Sequence, residues 1–302
     1  MDPLLIVFGF GVVVLVGTTG MGGGSLMTPL LILLFGIKPV VAVGTDLAYA
    51  AVTKTVGGIR HFHKGTVQLD IAGWLAVGSI PGALAGVALL ELLDLEDDLI
   101  LAIAVGLVVT GALILARALV LTGEGEREEV TLDRRHKAFA IVLGLSVGTL
   151  LGVSSAGSGT LIAIGLILGF RLTPRRVVGT DVAHAAVLLW AAALAHLVSG
   201  NVDLALAGTL LIGSVPGVWV GANLSTRLPE RGLRPALGIV MFTSGLALLT
   251  KAGVGIPAVA LVLVPLLLGL ASYVILRRGP TSPAASRAPR APGPPAPQTP
   301  RR

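Results

Sequence analysis

Apolar residues fill the chain in long blocks separated by short polar stretches. The blocks run 4–20, 25–36, 40–58, 71–90 and 98–121, then 138–155, 159–170, 177–199, 204–224 and 235–250, with a last one at 257–276. Runs such as "LILAIAVGLVVTGALILA" (99–116) reach the length at which a helix crosses a bilayer. Two blocks fall short. Those at 25–36 and 159–170 have 12 residues each, about 18 Å as helix against a hydrocarbon core of about 30 Å. The pattern predicts an all-α, polytopic integral membrane protein in which two helices are half-length, broken or re-entrant.

The blocks are duplicated. "VGTDLAYAA" (43–51) returns as "VGTDVAHAA" (178–186), and "GSIPGALAG" (78–86) returns as "GSVPGVWVG" (213–221). One ungapped spacing of 135 residues also pairs Gly9 with Gly144, Gly17 with Gly152, Pro39 with Pro174, His61 with His196 and Gly65 with Gly200. Two transmembrane repeats follow, 4–121 and 138–250, joined by a charged linker at 122–137. An extra helix at 257–276 and a tail at 277–302 complete the chain.

Basic loop residues favour the cytoplasm. After the fourth block the first half has acidic "ELLDLEDD" (91–98), whereas the second has "STRLPERGLR" (225–234) with three arginines. After the third block the bias is opposite: "RHFHKG" (60–65) against "SGNVD" (199–203). After the second block Lys38 stands against Arg171, Arg175 and Arg176. A bias that reverses at each equivalent loop predicts inverted repeats, with the N-terminus outside and the tail inside the cell membrane.

The short blocks follow glycine clusters, "GMGGGS" (20–25) and "AGSGT" (156–160). Each glycine weakens a helix interior by about 1 kcal/mol relative to alanine, so paired clusters mark paired breaks. Inverted-repeat transporters hold substrate near the midplane, at half-helix N-termini whose free N–H groups attract anions. The expected substrate-binding set is Gly22, Gly23, Gly24 and Ser25, then Gly157, Ser158, Gly159 and Thr160, with Thr45 and Thr180. Ser25 and Thr160 are residue types that cap helix starts. Scattered glycines such as Gly82/Gly86, Gly217/Gly221 and Gly17/Gly152 read instead as close helix contacts.

Composition narrows the class. Charged residues make up 13% of the chain, about half of what a soluble domain uses. Cysteine is absent, which excludes thiol chemistry. The net charge of +6 equals the six arginines of the Pro-rich tail, which holds no acid. A tail of that composition cannot pack a core and suits anionic lipid better than nucleic acid. The first block is not read as a signal peptide, because it lacks a basic start and recurs in mid-chain.

The ordered set "GMGGGSLMTP" (20–29), "AVGTDL" (42–47), "HFHKGTV" (61–67) and "GSIPGALAG" (78–86), with second-half copies "VGTDVA", "HLVSGNV" (196–202) and "GSVPGVWVG", resembles the TauE/SafE family of sulfite and organosulfur anion exporters. The resemblance covers about residues 5 to 275. It implies a cytoplasmic-membrane permease for small anions, not an enzyme, with no cofactor; a homodimer is a further expectation. Two features depart from the family's pattern: Asp46 and Asp181 follow Gly-Thr where Ser is commoner, and Lys54 stands within the third block.

Those departures are candidate coupling or gating residues. An ionisable side chain at membrane depth is costly and marks a functional site by default. Asp46 and Asp181 have Tyr49 and His184 one turn on, and Lys54 lies two turns beyond Asp46. The competing reading is a buried ion pair that fastens the halves together. His61 and His196 end the third block of each half and are candidate gate residues. His61-x-His63 lacks the partners of a metal site, so no metal is expected. Two other functions compete. An anion channel would use the same midplane site, and an intramembrane serine protease would pair Ser154 or Ser158 with His184 or His196.

Overall fold

A computed structural model describes residues 3–19, 24–92, 98–120, 130–155, 158–225 and 230–278. Within these the regular elements are α-helices: α1 (Pro3–Thr19), α2 (Gly24–Leu34), α3 (Pro39–His63), α4 (Leu69–Leu92), α5 (Leu99–Val120), α6 (Arg134–Ser154), α7 (Ser158–Phe170), α8 (Pro174–Val198), α9 (Leu204–Ser225), α10 (Glu230–Lys251) and α11 (Ala258–Arg278). Four are long and apolar enough to cross a membrane: 69–92, 99–116, 134–154 and 174–198. α2 and α7 have 11 and 13 residues, half-length as expected.

Helices outrun the apolar blocks. α6 starts at Arg134 rather than 138, where the Asp133 Oδ1 accepts the His136 N–H at 2.8 Å. α10 starts at Glu230 rather than 235. A charged first turn costs the helix nothing in water or headgroups, so the apolar boundary marks hydrocarbon and the helix continues past it. α7 begins at Ser158, two residues before the Thr160 start that capping preference suggested.

The same backbone is built twice. α3 and α8 both open on proline at the first helical position, where its missing N–H is no loss. The turns before them reach the left-handed region at the equivalent Gly36 (φ 64°) and Arg171 (φ 53°). Both helices also end alike. Thr66 N bonds the His61 carbonyl and Gly65 N the Phe62 carbonyl, as Asn201 N bonds His196 and Gly200 N bonds Leu197. Gly65 and Gly200 take the positive φ this motif needs, 61° and 74°.

Contacts between the halves are reciprocal. α4 packs on α6, and the equivalent α9 packs on α1. Gly144, Gly148 and Gly152 face Leu75, Ser79 and Ala83, while Gly78, Gly82 and Gly86 face Ile141, Leu145 and Thr149. A Cβ on Gly148 would collide with the Ser79 carbonyl oxygen and stand 2.8 Å from the Ser79 Cα. This is small-residue packing of the kind that holds helices together in lipid. On the other side Gly213 and Gly217 meet Ile6 and Phe10. The side chains of residues 17 and 221 lie outside the described set.

Equivalent helices run antiparallel. The start of α3, at Gly44, touches Asn201 after α8, and the start of α8, at Gly179, touches Thr66 after α3. Likewise Gly111 of α5 meets Gly238 and Phe242 of α10, whereas Gly245 meets Ala104 and Val108. One end of the bundle therefore gathers the end of α3 with Arg60 and Lys64 and the start of α8 with Arg175 and Arg176. An Arg176 Nη1–Gly65 carbonyl bond of 2.9 Å joins them. The start of α6, with Arg134, Arg135 and Lys137, lies at this end too, because α4 and α6 are parallel. At the opposite end Asp203 precedes α9 and caps it, its Oδ1 accepting the Leu206 N–H.

Candidate functional site

Asp46 lies two turns into α3 and is fully buried. Thr28 of the half-helix α2 donates its hydroxyl to Asp46 Oδ2 at 2.7 Å. Ser155 donates to the same oxygen at 2.5 Å, and the two hydroxyl oxygens are 3.1 Å apart. Ser155 ends α6 in the left-handed conformation (φ 57°), its N–H bonded to the Leu151 carbonyl. It is the last described residue before the second glycine cluster. One carboxyl thus joins the first half-helix to the edge of the second break. Among the described residues Asp46 Oδ1 has no hydrogen-bond partner.

The two hydroxyl positions are not repeated in the second half. The positions equivalent to Thr28 and Ser155 are Ala163 and Gly20, which have no hydroxyl to give. Asp181 instead has the Lys54 ammonium 3.9 Å from its Oδ2, with the two side chains 10% and 9% exposed. The position equivalent to Lys54 is Leu189. One turn on, His184 Nε2 and Ser79 Oγ are 2.8 Å apart. The equivalent Tyr49 lies close to Ser214, whose hydroxyl reaches the Gly9 carbonyl at 3.4 Å. The His184–Ser79 pair ties a third helix to the fourth helix of the opposite half.

Thr45 and Thr180 hold loops. The Asp203 N–H donates to Thr45 Oγ1 at 3.0 Å, and the Gln68 N–H donates to Thr180 Oγ1 at 3.0 Å. The two histidines that end α3 and α8 differ. His61 Nδ1 lies 2.9 Å from Thr66 Oγ1 and is half-buried. His196 is fully buried, and its Nε2 donates to the Gly152 carbonyl at 2.8 Å. His196 thereby anchors α6 one turn before the second break.

Of the expected anion set, Gly22, Gly23 and Gly157 lie outside the described residues. Gly24, Ser25, Ser158, Gly159 and Thr160 form the first turns of α2 and α7, with Thr160 buried; nothing is described of the Ser25 and Ser158 side chains. The serine–histidine pairs that proteolysis requires do not form at Ser154, whose hydroxyl donates to the Leu150 carbonyl at 2.8 Å. Thr28, Ser155 and Ser79 escape sequence reasoning, because a lone hydroxyl in an apolar helix carries no spacing signal. Only its partner reveals it.

A bundle of long apolar helices, with a buried carboxyl joining one half-helix to the end of α6, has the build of a multi-pass membrane transporter. The model of the sulfite exporter TauE/SafE family matches residues 5–248. The chain belongs to that family. It is 38% identical over 255 residues to the probable membrane transporter protein YjnA of Bacillus subtilis (strain 168), covering 82% of this chain and 100% of that one. It is 32% identical over 252 residues to the probable membrane transporter protein YdhB of the same organism, covering 82% and 98%. A probable membrane transporter protein of Xylella fastidiosa (strain 9a5c) is 27% identical over 230 residues, covering 75% and 86%. No solved structure matches the chain.

Proposed function

We propose that the chain is a carrier of small anions, sulfite or an organosulfonate, in the cell membrane, built from two inverted repeats and coupled to protons. The observation that carries this reading is the Thr28–Asp46–Ser155 cluster. It puts an ionisable group where the first half-helix meets the second break. The N-termini of α2 and α7 supply N–H groups and positive helix ends for an anion. A carboxylate beside them repels that anion, and a protonated carboxyl does not. Anion entry is thereby linked to proton uptake, which a passive pore does not need.

The antiparallel course of equivalent helices supports inversion. The clustering of Arg60, Lys64, Arg134, Arg135, Arg175 and Arg176 at one end of the bundle supports a cytoplasmic assignment for that end. α11 ends there as well if it continues antiparallel after α10, which brings the tail inside. A topology reporter fused after Asp94 then reads periplasmic and one after Arg231 cytoplasmic; the same side for both removes the inversion.

The transport test is uptake of radiolabelled sulfite into proteoliposomes. Wild-type uptake saturates and responds to an imposed pH gradient. Gly24→Val and Gly159→Val, each made separately, insert normally and lose uptake, because a side chain keeps the anion off the backbone. Wild-type uptake in both variants would return these glycines to a packing role. Unsaturable flux with unitary currents would make the protein a channel.

A further inference from the structure

The two copies of Gly-Thr-Asp occupy the same place in the repeat and have different chemistry around them. Asp46 receives two neutral hydroxyl donors on Oδ2, and among the described residues it makes no ion pair. Asp181 has a lysine ammonium beside it. The difference is written into the chain. Ala163 and Gly20 cannot donate side-chain hydrogen bonds to Asp181, and Leu189 cannot bring a cation to Asp46.

A buried carboxylate with a cation beside it is compensated, and removing either partner leaves a bare charge. One without a cation is neutralised by a proton instead. On the reading of the chain as a proton-coupled anion carrier, we propose that the carboxyls divide the work. Asp46 carries the proton that accompanies the anion, and Asp181 stays a carboxylate whose pairing with Lys54 fastens α8 to α3. The proton sits on Oδ1, since Oδ2 already accepts two hydrogen bonds. In that form the group is neutral and offers an O–H donor to the anion. Release of the proton on the other side leaves a negative charge that expels the anion after it. Atoms and charge balance as one proton moved with each anion.

Other titratable groups pack near Asp46 without reaching it. Tyr49, one turn on in α3, lies close to Ser214. From α8, His196 lies against Gly44 and bonds the Gly152 carbonyl. Asp203, ahead of α9, is occupied in capping that helix. From α10, Lys251 reaches the Ile32 carbonyl of α2, 3.2 Å away. Among the described residues the carboxyl's own hydrogen bonds go to Thr28 and Ser155.

The experiment measures labelled sulfite uptake with and without a pH gradient, alongside the amount of folded protein. Asp46→Asn is expected to lose the gradient-driven component and keep exchange at equal pH. Lys54→Met and Asp181→Asn singly lose folded protein, and the double variant recovers it together with the gradient-driven component. Thr28→Val, which leaves the carboxyl in place, moves the midpoint of the uptake–pH profile, whereas Thr28→Ser does not. A gradient response in Asp46→Asn overturns the proposal, as does a Thr28→Val midpoint that stays put. So does a double variant that exchanges normally but ignores the gradient, since that assigns the proton to Asp181. Uptake driven by a sodium gradient alone also overturns it. A wild-type protein that moves no sulfite, organosulfonate or other small oxyanion brings down the carrier reading first, and is recognised because no variant is involved.

Discussion

The surroundings of Asp46 and Asp181 start from one duplicated backbone and end in different chemistry. Both aspartates follow a threonine whose hydroxyl holds the N–H of the loop before a fourth helix. Both stand on helices that open on proline and close on a left-handed glycine. Yet one carboxyl is solvated by hydroxyls and the other is paired with a lysine. Duplication preserved what the backbone must do, namely turn and cap at fixed places. Side chains where the halves meet carry no such duty and were free to specialise.

That comparison breaks most visibly at Lys54. Lys54→Met strands the Asp181 carboxylate and should cost about 3–5 kcal/mol, the usual loss when one member of a buried pair is removed. Leu189→Met at the equivalent position should cost under about 1.5 kcal/mol, being a volume-conserving apolar swap. Thermal unfolding in detergent measures both, and equal losses would mean that Lys54 acts through packing. Next in size are the paired glycines. Gly9→Ala puts a Cβ 2.9 Å from the Leu210 carbonyl, and Gly144→Ala puts one 3.0 Å from the Ser79 nitrogen and still nearer the Leu75 carbonyl. Each should cost about 1–3 kcal/mol by overpacking, with the larger loss at Gly144. A tolerated Gly144→Ala would show that α4 and α6 can separate more easily than α1 and α9.

Thr28→Val removes one donor from Asp46 and should cost about 1.5 kcal/mol, while Ala163→Ser at the equivalent site should be close to neutral. Urea or thermal titration of the two variants side by side decides it. The smallest effect is expected at Asp133, which caps α6. The His136 N–H holds this carboxyl below its usual range. Its contribution is therefore complete above the ordinary carboxylate pKa and lost as pH falls through the lower, folded value. Asp133→Ala should lower the midpoint of unfolding slightly at neutral pH, with the gap to wild type closing in acid. A gap that ignores pH would assign the effect to something other than the charged cap.

The sequence by itself determined the number of apolar segments, their duplication at a spacing of 135 residues and the half-length of two of them. It did so because apolar length and glycine or proline punctuation are local properties, legible without knowing any neighbour. The reversed loop charges likewise led to the expectation of inverted repeats; α3 and α8 run antiparallel, as do α5 and α10. Asp46, Asp181 and Lys54 stood out as ionisable residues in apolar helices, where their cost makes them conspicuous. Which of them would pair was decided only by the tertiary structure. Lys54 and Asp181 are 127 positions apart and meet because α3 and α8 cross antiparallel, whereas Thr28 and Ser155, also separated by 127, meet because both helix ends converge on one carboxyl. A hydrogen bond depends on where two distant backbones bring their atoms, and no property of either residue alone records that place.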